Sequence, residues 1–240
     1  IHSYHGINDE KQAELKKWAD WAKEHDKHLF LAEIGRQDLV MVIREPEKTR
    51  TGDVGSIAES LSNAEDILRG LSVGVSAFNR WSFTNRGDLD GQWQLIRTWN
   101  LEEKEFYENV EPEPVSYYGY AIITRFLPKY SSVVSTEPIE NAAIFSQTVK
   151  TPSDDITTII LNKSDQEQTV ELQMNGVEEA AFYLYRAVQE EISKPGFKMN
   201  PVNTYSINPG KTLNLTVPAE SIHTLTTIHL KHEELAAKNR

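Results

Sequence analysis

The feature that most limits what this chain can fold into is a change of hydrophobic period near Tyr130. Before it, short apolar runs alternate with stretches whose apolar residues recur every three to four positions. After it, apolar residues fall at every second position in short runs separated by turn residues. The first spacing belongs to helices and buried strands, the second to half-buried strands, so one architecture cannot serve both parts. The pattern predicts an α/β part over residues 1–130, an all-β part over residues 131–230, and a charged tail over residues 231–240. The chain has 240 residues, enough for two such units.

In the first part a helix should open at Asn8 or Asp9, where Asn8 is a good N-cap, and end near His25. Its apolar face is expected to carry Leu15, Trp18, Ala19 and Ala22. The run from His28 to Gly35 reads as a buried parallel strand closed by Glu33, with Gly35 permitting the turn that follows. A polar stretch from Gln37 to Gly55 predicts a loop. Ser56 and Glu59 then form a capping-box pattern ahead of a helix running to Leu71. Val73 to Phe83 predicts another buried strand, followed by a polar, aromatic-tipped loop from Thr84 to Trp93. Pro112 and Pro114 break the chain before a last helix over Ser116–Phe126. With a strand in the first residues, this makes three strands, each followed by a helix.

The second part predicts seven strands: Ser131–Ser135, Ala142–Val149, Thr157–Leu161, Thr169–Gln173, Ala181–Tyr185, Thr212–Val217 and His223–Ile228. Turn residues such as Asn162-Lys-Ser-Asp, Asn175-Gly176 and Asn208-Pro-Gly210 separate them, which points to an antiparallel sandwich. Its expected core is Val133, Ile144, Ile160, Leu172, Leu184, Leu215 and Leu225.

A net charge of −11 argues against nucleic acid as a partner, because phosphate binding needs clustered Lys and Arg. No run of about 18 apolar residues is present, so no membrane span is expected. The chain has no cysteine, hence no disulfide, thiolate metal site or thiol nucleophile, which suits a reducing cytoplasm and a secreted enzyme equally. The Ile1-His-Ser-Tyr-His-Gly6 start, directly in strand-like residues, reads as internal to something longer.

When parallel strands with helical crossovers close into a barrel, chemistry gathers at their C-terminal ends, so a polar residue ending an apolar strand is a catalytic candidate. Glu33 is such a residue. On its own it reads more readily as a solvated glutamate after a strand. By a period of two, Leu29, Leu31 and Glu33 share one face, and leucines filling a barrel interior would turn the carboxylate into its mouth. His2 and Tyr4 share a face by the same rule, as do Val75, Ala77, Asn79 and Trp81. Three strands thus each deliver a polar or aromatic group at one height.

The motifs His2-Ser-Tyr4, Leu31-Ala-Glu33-Ile-Gly35 and Phe78-Asn-Arg-Trp81-Ser82 together resemble the sixth, seventh and eighth strands of a clan A glycoside hydrolase, a clan that includes cellulases, xylanases and glucosylceramidases. The resemblance covers about the first 130 residues, and the sandwich is similar to the C-terminal domain of several such families. It implies a partial (β/α)8 barrel, its last three βα units, followed by an antiparallel β-sandwich. It further implies a retaining mechanism with Glu33 as nucleophile, Tyr4 as its hydrogen-bond partner, His2 and Asn79 as neighbours in the cleft, and Trp81 as the platform for the sugar. Trp81-Ser82 is expected to be a cis peptide on the same ground. Trp93, in the loop beyond, is a candidate for outer sugar subsites, or simply a packed Trp capping a solvated loop. Asp88 and Asp90 match only part of a calcium loop and are read as loop-forming, so no metal and no cofactor is expected.

A retaining hydrolase needs a second carboxyl about 5 to 5.5 Å from the first. The clan places it in an Asn-Glu pair ending the fourth strand, and no such strand occurs here: Asn100-Leu-Glu102 and Asn141 both lie after the last barrel strand. The implied partners are a carbohydrate substrate and the missing N-terminal barrel half or a complementing chain, without which the chain is expected to be inactive. The alternatives are a non-catalytic carbohydrate-binding protein and an unrelated scaffold in which Glu33 is structural.

Overall fold

The computed structural model describes residues 1–4, 6–35, 55–84, 94–100, 103, 105–137, 139 and 141–230. They fall into two compact units, Ile1–Tyr120 and Ala121–Arg240.

The first unit is built on a three-stranded parallel sheet of β1 (His2–Ser3), β2 (Leu29–Ile34) and β3 (Val75–Arg80), in that order. Helix α1 (Asp9–Glu24) joins β1 to β2 and helix α2 (Ile57–Ser72) precedes β3. Asn8 caps α1 through its side-chain oxygen, which accepts from Lys11 N at 2.8 Å, with Asp9 and Glu10 placed favourably in the first turn. The buried stripe of α1 is Leu15, Ala19 and Ala22. Trp18, expected in that stripe, is 47% exposed. Two alanines bring the helix close to the sheet, and the indole, too bulky for so narrow a seam, stands at its flank. Ser56 caps α2 by accepting from Glu59 N at 3.2 Å. The reciprocal half of the capping box is not made, because both oxygens of Glu59 are committed to Arg80, Asn63 and Ser116.

An antiparallel ribbon of β4 (Ile96–Asn100) and β5 (Glu105–Pro112) lies between β3 and helix α3 (Pro114–Thr124). The sequence reading assigned no strand there, although Trp99, in register with Phe106, belongs to a strand-like composition.

The second unit is a sandwich. A six-stranded antiparallel sheet, β11-β10-β13-β8-β7-β6, faces a two-stranded one, β12-β9. The ranges are β6 Ser132–Val134, β7 Ile144–Lys150, β8 Ile156–Asn162, β9 Gln168–Gln173, β10 Ala180–Ala187, β11 Asn203–Ile207, β12 Thr212–Val217 and β13 Ser221–Thr226, with a short helix α4 (Gln189–Ile192) after β10. Ile144, Ile160, Val170, Phe182, Leu184, Ile207, Leu215, Val217 and Leu225 form the core between the sheets. Leu172 packs against this core partly buried, whereas Val133, expected within it, is 45% exposed on the edge strand β6. β11 is unforeseen: the sequence pattern places no strand between Tyr185 and Thr212. The other face of β13 is covered by residues at and beyond the end of α3: Thr224 Oγ1 donates to Ile122 O at 2.7 Å, and the Phe126 and Tyr185 rings lie 4.5 Å apart. This is why every residue of β13 is buried. Among the described residues no helix is long and apolar enough to cross a membrane.

Candidate active site

The parallel strands bring their C-terminal ends to one edge of the first unit. Across β1 and β2 the register pairs His2 with Glu33 and Ser3 with Ile34. Ser3 and Ile34 are buried. By alternation His2 and Glu33 take the opposite face, where the His2 ring nitrogen Nδ1 lies 3.4 Å from Glu33 Oε2 and their side chains are 56% and 27% exposed. Tyr4 meets His2 edge-on, with ring centroids 6.2 Å apart. The carboxylate is thus approached by His2; no hydrogen bond from Tyr4 to Glu33 is found among the described residues.

Glu33 reaches that face by a route other than strict alternation from Leu29 and Leu31. Both leucines are buried, while Phe30 between them is 47% exposed. Phe78 and Arg80 of β3 face α2, since the Phe78 ring sits where a Cβ on Gly70 would be and Arg80 reaches Glu59. Leu31 is in register with Phe78 and Ile34 with Arg80. Three steps on β2 therefore match two on β3, an irregularity that resets the alternation between Leu31 and Ile34. The leucines pack toward the helices, not into a barrel interior, and the extra residue turns Glu33 to the open face. Asn79, between two helix-facing residues, is exposed on that same open side.

Trp81 follows β3. Its N–H donates to Ile34 O at 2.8 Å, one residue past Glu33, so both stand at one level of neighbouring strands. The Trp81-Ser82 peptide is cis, as the resemblance implied. Gly35 has no positive φ, so turn geometry is not what requires glycine there. A Cβ at 35 would lie 2.6 Å from Trp81 O, and close approach of the two strand ends is the reason. Trp93, with Asp88 and Asp90, lies outside the described residues.

Beneath Trp81 is a buried network that sequence reasoning missed. Arg80 Nη2 donates to Glu59 Oε1 at 2.8 Å, Arg80 Nη1 to Trp81 O at 3.0 Å, and Ser116 Oγ to Glu59 Oε2 at 2.8 Å. The guanidinium also lies over the Tyr120 ring, 5.9 Å from its centroid. Burial raises the Tyr120 hydroxyl above its usual pKa, with Arg80 opposing, so the phenol stays neutral. The available signal was a lone charge inside an apolar strand, which cannot be buried without a partner.

Residues 131–225 match the family model described as the Glycosyl hydrolase family 30 beta sandwich domain. The fold is similar to that of a GH30 endoxylanase from Clostridium papyrosolvens C71, with TM-score 0.61 and 12% identity over 94% of this chain and 47% of that one. It is also similar to a conserved exported protein from Bacteroides fragilis (TM-score 0.62, 13% identity, 90% and 42% covered). A third likeness is to the family 30 subfamily 8 xylanase Xyn30A from Clostridium acetobutylicum (0.58, 15%, 86% and 44%). The chain spans less than half the length of these structures. No curated protein sequence matches it.

Proposed function

Given this similarity to the C-terminal portion of family 30 glycoside hydrolases, we propose that the chain carries the nucleophile half of a retaining glycosidase, with its three βα units forming the last part of a (β/α)8 barrel. The observation that carries the reading is Glu33: a carboxylate at the C-terminal end of a parallel strand, on the open face, beside His2 and level with Trp81.

In this reading Glu33 attacks the anomeric carbon as the glycosidic C–O bond breaks and the acid/base carboxyl protonates the departing oxygen. Water, giving its proton back to that same group, then hydrolyses the glycosyl ester with retention and frees Glu33. His2, at 3.4 Å, orients the attacking carboxylate. Trp81 stacks on the apolar face of the sugar, and Asn79 offers an amide to its hydroxyls. The acid/base carboxyl, about 5 to 5.5 Å from the nucleophile in such enzymes, comes from a segment outside this chain, either an upstream barrel half or a complementing chain. The substrate is an O-glycoside of a poly-, oligo- or glycoconjugate saccharide.

The test uses a protein in which this segment is joined to the remaining barrel units. An activated 2-deoxy-2-fluoro glycoside slows both steps, and its good leaving group lets ester accumulate. Peptide mass analysis should place the sugar on Glu33. Label on another carboxylate overturns the assignment. The 240-residue chain alone should show no turnover.

A further inference from the structure

We infer that Arg80, held by Glu59, is the positioning residue for Trp81. The functional meaning of this inference rests on the proposed sugar platform, but its geometry does not.

Trp81 is fixed at both ends of its main chain. Its N–H is tied to β2 through Ile34 O at 2.8 Å, and its carbonyl oxygen accepts from Arg80 Nη1 at 3.0 Å. The same carbonyl lies against Gly35, where no Cβ fits. With N and C both held, the Cα–Cβ direction of Trp81 is set, and with it the axis from which its indole projects. What holds the carbonyl must itself be held. Arg80 and Glu59 side chains are each 4% exposed and joined at 2.8 Å, and Glu59 is anchored in turn by Ser116 and Asn63. Glu59 lies in the first turn of α2, whose start is set by the Ser56 cap. A chain of short contacts therefore runs from a helix start to the main chain that carries the indole.

Only a planar fork does this. One nitrogen faces the carboxylate and the other the carbonyl, whereas a lysine ammonium is a single point of charge. Stability alone does not account for the residue, since an apolar side chain at a helix-facing position is often as good as a buried ion pair. Arg80 Nε is moreover buried without a hydrogen-bond partner among the described residues. What the arginine supplies is placement.

The test is 19F NMR of the chain labelled with 5-fluorotryptophan, which gives one resonance for each of its five tryptophans, that of Trp81 assigned by Trp81→Phe. Arg80→Lys keeps the charge opposite Glu59 but removes one arm of the fork. The Trp81 resonance should shift by more than its linewidth, with those of Trp18 and Trp21 unmoved. Should the lysine variant fail to fold, the double change Arg80→Met with Glu59→Met removes both buried charges together and should give the same selective shift. An unmoved Trp81 resonance in the folded variant overturns the inference, and so does an equal displacement of all five, which marks general loosening. No sugar is present, so this outcome is independent of whether Glu33 is the nucleophile.

Discussion

His2 and Glu33, register partners on β1 and β2, bring ring nitrogen and carboxylate oxygen to 3.4 Å on the open face of the sheet. If the imidazole orients the nucleophile, His2→Ala in a complete enzyme should lower kcat about 10- to 100-fold, the scale of a misplaced reacting group, with a smaller change in KM. His2→Gln, which retains a donor, should recover part of the loss. Steady-state kinetics on an aryl glycoside checks this, and an unchanged kcat for His2→Ala would remove His2 from the site.

Gly35 and Trp81 make a second such pair. A methyl at position 35 would meet Trp81 O at 2.6 Å, and that oxygen is already held by Arg80, so it has nowhere to retreat. Gly35→Ala should destabilise the first unit by about 1–3 kcal/mol, the usual cost of overpacking. Urea unfolding followed by tryptophan fluorescence measures it. A neutral result would mean the strand ends separate easily.

Much of this was legible in the sequence where one signal dominates one segment. The N-caps Asn8 and Ser56, the parallel strand that carries Glu33 at its end and the alternating strands each follow from local pattern. The illegible parts depend on what meets across the fold. Alternation alone put Glu33 with Leu29 and Leu31, because an extra residue on β2 shows only in register with β3. Glu59 satisfied a capping-box pattern perfectly well, yet a buried guanidinium 21 residues away outcompetes the backbone N–H for its oxygens. Trp18 fits the helical spacing but not the room beside two alanines.

Asn162 stands in a turn motif, and the fold uses it for more than the turn. Fully buried, its Nδ2 shares two hydrogens among the carbonyls of Gln166, Val217 and Pro218 at 2.9, 3.1 and 2.9 Å, while Oδ1 accepts from Ser164 N at 3.0 Å and Ser164 Oγ at 2.7 Å. It ties the end of β8 to the turn before β13. Asn162→Ala leaves these groups unpaired and should cost about 2–4 kcal/mol. Asn162→Asp cannot donate to the three carbonyls when ionised, and should be worse. Thermal unfolding at pH 7 should rank wild type above Ala above Asp, and equal Tm values for the two variants would contradict the donor role.

His223 makes stability depend on pH. The residue is fully buried on β13, and Ser221 Oγ lies 3.0 Å from its Nε2 and 2.6 Å from Pro218 O. The hydroxyl therefore donates to the carbonyl and accepts from Nε2–H, which leaves Nδ1 as an acceptor without a partner among the described residues. Burial, aided by Arg186 across the β10 pairing, lowers the pKa of His223 from 6.5 to about 4. The unfolded imidazole binds its proton more readily than the folded one. Its contribution is thus complete above pH 6.5 and is lost as pH falls toward 4, about 3 kcal/mol in all. Carboxylates in general also take up protons as the pH falls, so the readout must be a difference. His223→Leu should flatten the urea-derived stability between pH 6.5 and 4 relative to wild type, while carboxylate losses below that window remain in both. Parallel stability curves for the two proteins across pH 4–6.5 would show that His223 titrates normally in the fold.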